Sequence, residues 1–125
     1  MRAVLDTSVL IGSEAPGDLE GAISAASLAE LHFGVLVATD SNERALRSQR
    51  LGIVEATFDP LPIDAAVARE WSRLATAVAA RGGRARPRAI DLAIAATANV
   101  HSVPLATRNA KDLALVEDLV EILAV

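Results

Sequence analysis

Short apolar runs of β character alternate along this chain with longer stretches of helical character, and that alternation restricts the fold more than any other feature. Residues 3–5 (AVL), 22–24 (AIS), 61–63 (LPI), 105–107 (LAT) and 120–123 (VEIL) read as five strands. Pro62 confines the third of these to a sheet edge or strand end, because it has no N–H for a ladder. Between them, 7–11 reads as a helical turn, 12–17 as a loop and 42–55 as a helix. Ser27 and Glu30 have the form of a capping box opening a helix towards Ala38. Asp64 caps a long helix to about Arg81, and Gly82-Gly83 ends it. Pro87 opens another helix over 88–100, and 109–115 reads as a turn with a short helix. Strands separated by helices call for a mainly parallel, five-stranded α/β sheet, and 125 residues suit a single domain, 1–125.

In such folds ligands bind beyond the carboxyl ends of the strands. Asp6 directly follows the first strand and Asp112 follows the fourth, while Glu30 and Asp91 fall near the starts of helices. Each acid has an ordinary structural reading: Asp6 as a cap, Glu30 in its capping box, Asp91 on its helix dipole, Asp112 as a solvated loop acid. Asp6 and Asp91, however, are embedded in apolar runs, where an ionised carboxylate needs a compensating cation. Several carboxylates together suit a hard divalent ion such as Mg²⁺ or Mn²⁺. Zinc fits poorly, since there is no cysteine and His32 and His101 lack ligand spacing.

The net charge of −4 gives no bulk attraction for nucleic acid. The distribution differs from the total. All basic residues except Lys111 are arginine, and Arg81, Arg84, Arg86 and Arg88 fall in one short stretch. The guanidinium fork matches phosphate oxygens, although a solvated loop reads equally well from composition alone. With only Trp71, Phe33 and Phe58, an aromatic stacking platform is not expected. No apolar run approaches the roughly 18 residues of a membrane span, and an acid at position 6 comes too early for a secretory leader. The expectation is a soluble, cytoplasmic protein.

Four segments, in order and suitably spaced, carry a resemblance: 4–10 (VLDTSVL), 27–34 (SLAELHFG), 91–98 (DLAIAATA) and 104–113 (PLATRNAKDL). Along nearly its whole length the chain resembles the VapC branch of the PIN-domain family. The resemblance implies a three-layer α/β/α sandwich and an acidic quartet of Asp6, Glu30, Asp91 and Asp112, both catalytic and metal-binding. It implies that Ser8, Thr107 and Asn109 support those acids. It further implies an Mg²⁺- or Mn²⁺-dependent endoribonuclease that leaves a 5′-phosphate and a 3′-hydroxyl on tRNA or ribosomal RNA. Arg81, Arg84, Arg86 and Arg88 would hold the RNA backbone. A homodimer and a small VapB-like antitoxin are the implied partners, with the faces of 42–55 and 64–81 as candidate contacts unless they pack inside. One departure is Leu113, where the family usually has an aromatic.

Two other readings compete. A phosphatase resembling the haloacid dehalogenase family also has an aspartate after its first strand, but it needs a second acid two residues later, where this chain has Ser8. A catalytically silent PIN-like module for RNA or protein binding would be favoured by loss of an acid, and all four are present.

Overall fold

The computed structural model describes residues 1–12 and 19–125. Strands β1 (Arg2–Leu5), β2 (Glu20–Ala22), β3 (Leu105–Thr107) and β4 (Ile122–Ala124) form one sheet in the order β2-β1-β3-β4. Every pairing is parallel, with Val4 opposite both Ala22 and Leu105. Among the described residues five α-helices connect or cover the strands: α1 (Thr7–Leu10), α2 (Ala25–Val37), α3 (Ser41–Thr57), α4 (Ala65–Ala80) and α5 (Ala89–Val100). Short 3₁₀ turns span Arg86–Arg88 and Ala110–Val116. Except for Gly12, the loop expected over 12–17 lies outside the described residues.

The pleat sends alternate residues to opposite faces, which builds two cores. Val4 and Leu105 meet Val67, Leu74 and Val78 of α4 and Leu92 and Ile94 of α5. On the other face Ala3, Leu5 and Ala106 meet Val9 of α1, Leu31 of α2 and Val54 of α3. The result is the expected α/β/α sandwich. Helix α5 is wholly buried from Leu92 to Ala98. Ala95 and Ala98 are part of that close packing.

Three expectations need correction. Among the described residues the sheet has four strands, not five. Residues 61–63 contribute only a parallel bridge from Leu61 to Ser24. Leu61 N–H donates to Ile23 O at 2.8 Å and Leu61 O accepts from Ala25 N–H at 2.9 Å, while Pro60 and Pro62 on either side of it offer no N–H to a strand on the opposite edge. The second strand also ends earlier, at Ala22, because Ser24 starts α2.

That is the second correction. The helix cap is Ser24, whose Oγ accepts from Ala26 N–H at 3.0 Å. Ser27 lies inside the first turn and is buried, so the Ser27/Glu30 capping box does not form. The third concerns the candidate partner faces. The apolar stripe of α4 is core, whereas α3 buries only Val54 and exposes Leu46 and Ile53. Asp64 does cap α4, accepting from Val67 N–H at 2.9 Å. Gly82, at φ +85°, ends that helix in the left-handed conformation glycine tolerates. Among the described residues no helix is long and apolar enough to cross a membrane.

Candidate active site

From β1 the chain goes to β2 on one side, and β3 later joins β1 on the other, so the strand order diverges between β1 and β3. In open parallel sheets a crevice forms outside the carboxyl ends at such a point. Asp6 follows β1, and Thr107 is the last residue of β3. They meet there: Thr107 Oγ1 donates to Asp6 Oδ2 at 2.8 Å. Ser8 Oγ, in the first turn of α1, donates to the same oxygen at 2.7 Å. Asp6 is only 8% exposed and its side chain caps no helix, which removes the capping explanation for it.

The two hydroxyls are themselves held. Arg108 N–H donates to Ser8 Oγ at 3.1 Å, and Asn109 N–H donates to Thr107 Oγ1 at 3.0 Å. Asn109 thus supports the site through its backbone. Glu30, on the second turn of α2, accepts from Thr7 Oγ1 at 2.6 Å, and Thr7 Oγ1 also lies 3.2 Å from Ser27 Oγ. Thr7 was not singled out in the sequence, although it stands directly between Asp6 and Ser8. A hydroxyl beside an acid at a strand end was the available signal.

Asp91 lies in the first turn of α5, its side chain 31% exposed. Its carboxyl is pushed above the usual aspartate range, first by burial, then by the negative charges of Asp6 and Glu30 and, after the opposing effect of Arg88, by Asp112. All four predicted acids therefore lie in one electrostatic neighbourhood. Among the described residues, however, no three carboxylate or imidazole side chains are drawn close enough to hold one ion. Like charges spread apart without a cation among them, and here an arginine fills that role in part. Arg88 reaches Asp91 Oδ2 at 3.6 Å and Asp112 Oδ1 at 3.3 Å. The donor set of four carboxylates, with no thiol, suits a hard divalent cation. The residues fit such an ion by donor type and shared field.

The other arginines divide. Arg84 and Arg86 are exposed. Arg81 is committed to structure, donating to Asp118 Oδ1 at 2.6 Å and to Leu115 O at 2.7 Å. Both histidines are exposed. His32 pairs with Glu55 at 2.8 Å.

The model of the PIN domain matches residues 3–118. Ribonuclease VapC5 of Mycobacterium tuberculosis is 38% identical over 115 residues, covering 85% of this chain and 82% of that one. Ribonuclease VapC4 of the same species is 34% identical over 125 residues, covering 94% and 93%. The crystal structure of VapBC-5, a toxin–antitoxin system of M. tuberculosis, aligns with a TM-score of 0.83 at 36% identity over 99% of this chain and 97% of that one. VapBC2 of Rickettsia felis, bound to a promoter DNA fragment, aligns at 0.79 over 100% and 99% of the two chains; at 21% identity it supports the fold alone. With matching segments, a matching fold and a strand-end acid fixed by two hydroxyls, the chain belongs to the PIN-domain family, in its VapC branch.

Proposed function

We propose that this chain is the ribonuclease toxin of a toxin–antitoxin pair, acting as one unit over 1–125 in the cytoplasm. It hydrolyses RNA phosphodiester bonds at Asp6, Glu30, Asp91 and Asp112. The supporting observation is Asp6, nearly buried at the sheet's divergence point and fixed by two hydroxyls, with Asp6, Glu30 and Asp112 all acting on the carboxyl of Asp91. The kinship with proteins named ribonuclease VapC supplies the substrate class.

Asp6, Glu30 and Asp91 would hold Mg²⁺ or Mn²⁺, and Asp112 would hold a second ion or orient the attacking water. When bound, the ion supplies a water of lowered pKa and neutralises charge growing on the phosphate oxygens. The chain's own residues prepare that site. Ser8 and Thr107 both donate to Oδ2 of Asp6, so the carboxylate cannot rotate without breaking two hydrogen bonds. Thr7 does the same for Glu30 through one bond. Arg88 balances the charges of Asp91 and Asp112 and, where those carboxylates held a cation, its guanidinium would be available to phosphate. Arg84 and Arg86, both exposed and close to Arg88 in the chain, track the RNA backbone. Arg81 is left out of this set because of its pair with Asp118.

A VapB-like antitoxin is the proposed regulator, in keeping with the toxin–antitoxin relatives, and a homodimer the proposed assembly. Phe33 and Leu36 on α2, 65% and 77% exposed, and Leu46 and Ile53 on α3 offer apolar surface for the antitoxin.

The test is cleavage of a mixed tRNA and ribosomal RNA substrate by purified protein with Mn²⁺ or Mg²⁺, beside Asp91→Asn and an EDTA control. Cleavage that needs the metal and disappears in the variant is the expected result. Intact RNA in every lane, with both RNA classes present, would overturn the catalytic reading in favour of an interaction module.

A further inference from the structure

A cavity of about 370 Å³ opens beside the acids, on the side of the 3₁₀ turn Ala110–Val116. That volume is within the range of small-ligand pockets. Its inner wall is apolar, made by Val78 of α4, Leu92 of α5, and Leu113 and Val116. Its rim is charged: Arg84, Arg88 and Lys111 stand there with Asp112. Two rim residues, Arg88 and Asp112, also belong to the acidic site and face each other at 3.3 Å. The cavity is thus continuous with the proposed reaction centre. Its outer lip is fixed, because Arg81 ties Leu115 O to the end of α4.

We propose that this cavity receives one unpaired nucleobase of the RNA, next to the phosphate that is cut. The inference rests on the ribonuclease reading above and adds a binding site to it. An apolar wall accepts the faces of a base after it leaves the stack, as single-stranded recognition requires. Three cations around the mouth match the phosphates on either side of that base, in a chain whose total charge is negative. No aromatic ring lines the cavity. The base is held by aliphatic contacts and by the guanidinium planes of Arg84 and Arg88, not by a ring stack. A cavity bounded by aliphatic groups and cations discriminates weakly among bases. It selects unpaired over paired nucleotides.

The experiment measures binding by fluorescence anisotropy of a labelled twelve-nucleotide single-stranded RNA, in EDTA so that nothing is cut. An oligomer of the same length with abasic residues is the comparison. The full chain is expected to bind the normal strand about tenfold more tightly than the abasic one. Ala114→Phe, on an exposed residue of the lip, should fill the cavity and erase that difference while keeping the salt dependence. Arg84→Gln should weaken both strands and flatten the salt dependence. Methyl NMR of Leu115 and Val116 gives a reading that needs no variant: both signals should move with the normal strand and stay with the abasic one. Equal affinity for the two strands, or unmoved methyls, would overturn the proposal. So would an Ala114→Phe variant that keeps RNA binding but loses an antitoxin. Absence of any salt-dependent RNA binding would instead sink the ribonuclease reading itself.

Discussion

Thr107 Oγ1 donates a 2.8 Å hydrogen bond to Asp6 Oδ2 across 101 residues of sequence. The bond joins the carboxyl ends of adjacent parallel strands and fixes a nearly buried acid where the sheet diverges. Thr107→Val keeps the shape and removes the donor. The expected cost is about 1 kcal/mol of stability, against a ten- to hundredfold loss in Mn²⁺ affinity and cleavage, roughly the cost of losing a group that orients a metal ligand. Thr107→Ser should restore most of it. Calorimetric Mn²⁺ titration of the three proteins checks this; wild-type affinity in the valine variant would remove the role.

Asp91 is held above the usual carboxyl range chiefly by burial and by Asp6 and Glu30. A raised acid binds its proton more tightly in the folded state, so stability falls as pH rises from the unfolded value through the folded one. Asp91→Asn removes the charged form. Without metal, the variant should melt a few degrees higher than wild type at pH 7, and the gain should shrink as pH falls through the raised folded value and be gone below the unfolded one, about 4. Melting curves in EDTA across that range test it, and a variant less stable at pH 7 would contradict the repulsion. Cleavage should be abolished in the same protein.

Arg88 bridges Asp91 and Asp112 at 3.6 and 3.3 Å, with its own side chain 43% exposed. An ion that gathers those carboxylates must displace it. Arg88→Gln is expected to bind Mn²⁺ a few-fold more tightly and single-stranded RNA more weakly. Both changes read directly in binding titrations; unaltered Mn²⁺ affinity would show that the guanidinium does not compete.

Glu70 on α4 is far from the acids and carries stability instead. It accepts from Arg73 and from Asn99 Nδ2 at 2.6 Å, which links α4 to α5, and Arg73 chiefly holds its carboxyl below the ordinary value. The stabilisation is present above the unfolded pKa and is lost as pH falls through the folded one. Glu70→Gln should cost about 1 kcal/mol at pH 7 and progressively less in acid, as measured by urea unfolding. A cost independent of pH would assign the effect to packing.

Phe33 and Leu36 are exposed on α2 and touch neither core. Phe33→Glu with Leu36→Glu should leave the melting temperature near wild type and abolish co-purification with the co-expressed antitoxin. Retention of the complex would move the interface elsewhere.

Much of the candidate site was legible because acids beside apolar runs are conspicuous. Asp6 and Asp91 stand out in VLDTSVL and AIDLAIAA, and the parallel fold puts strand-end acids on one edge. Boundaries were less legible. Ser27 and Glu30 satisfy the capping-box spacing, yet Ser24 caps α2, because Leu61 pairs with the backbone on both sides of Ser24 and holds the chain extended up to that point. Pro62 stands inside the segment read as the third strand, which was enough to confine it to an edge or end but not to show that a single bridge remains.

By itself the sequence determined the alternating α/β plan, the parallel sheet and the residue types of the acidic quartet, because hydrophobic period and local chain chemistry act within a few residues. Tertiary structure alone decided which arginines are free of structural pairs, since Asp118 lies 37 residues from Arg81 and no local pattern announces the contact. It also decided that Thr7 holds Glu30, that Arg88 lies between two acids, and that an apolar cavity opens at their side. Those relationships depend on where distant segments meet, a property of packing that no local window contains.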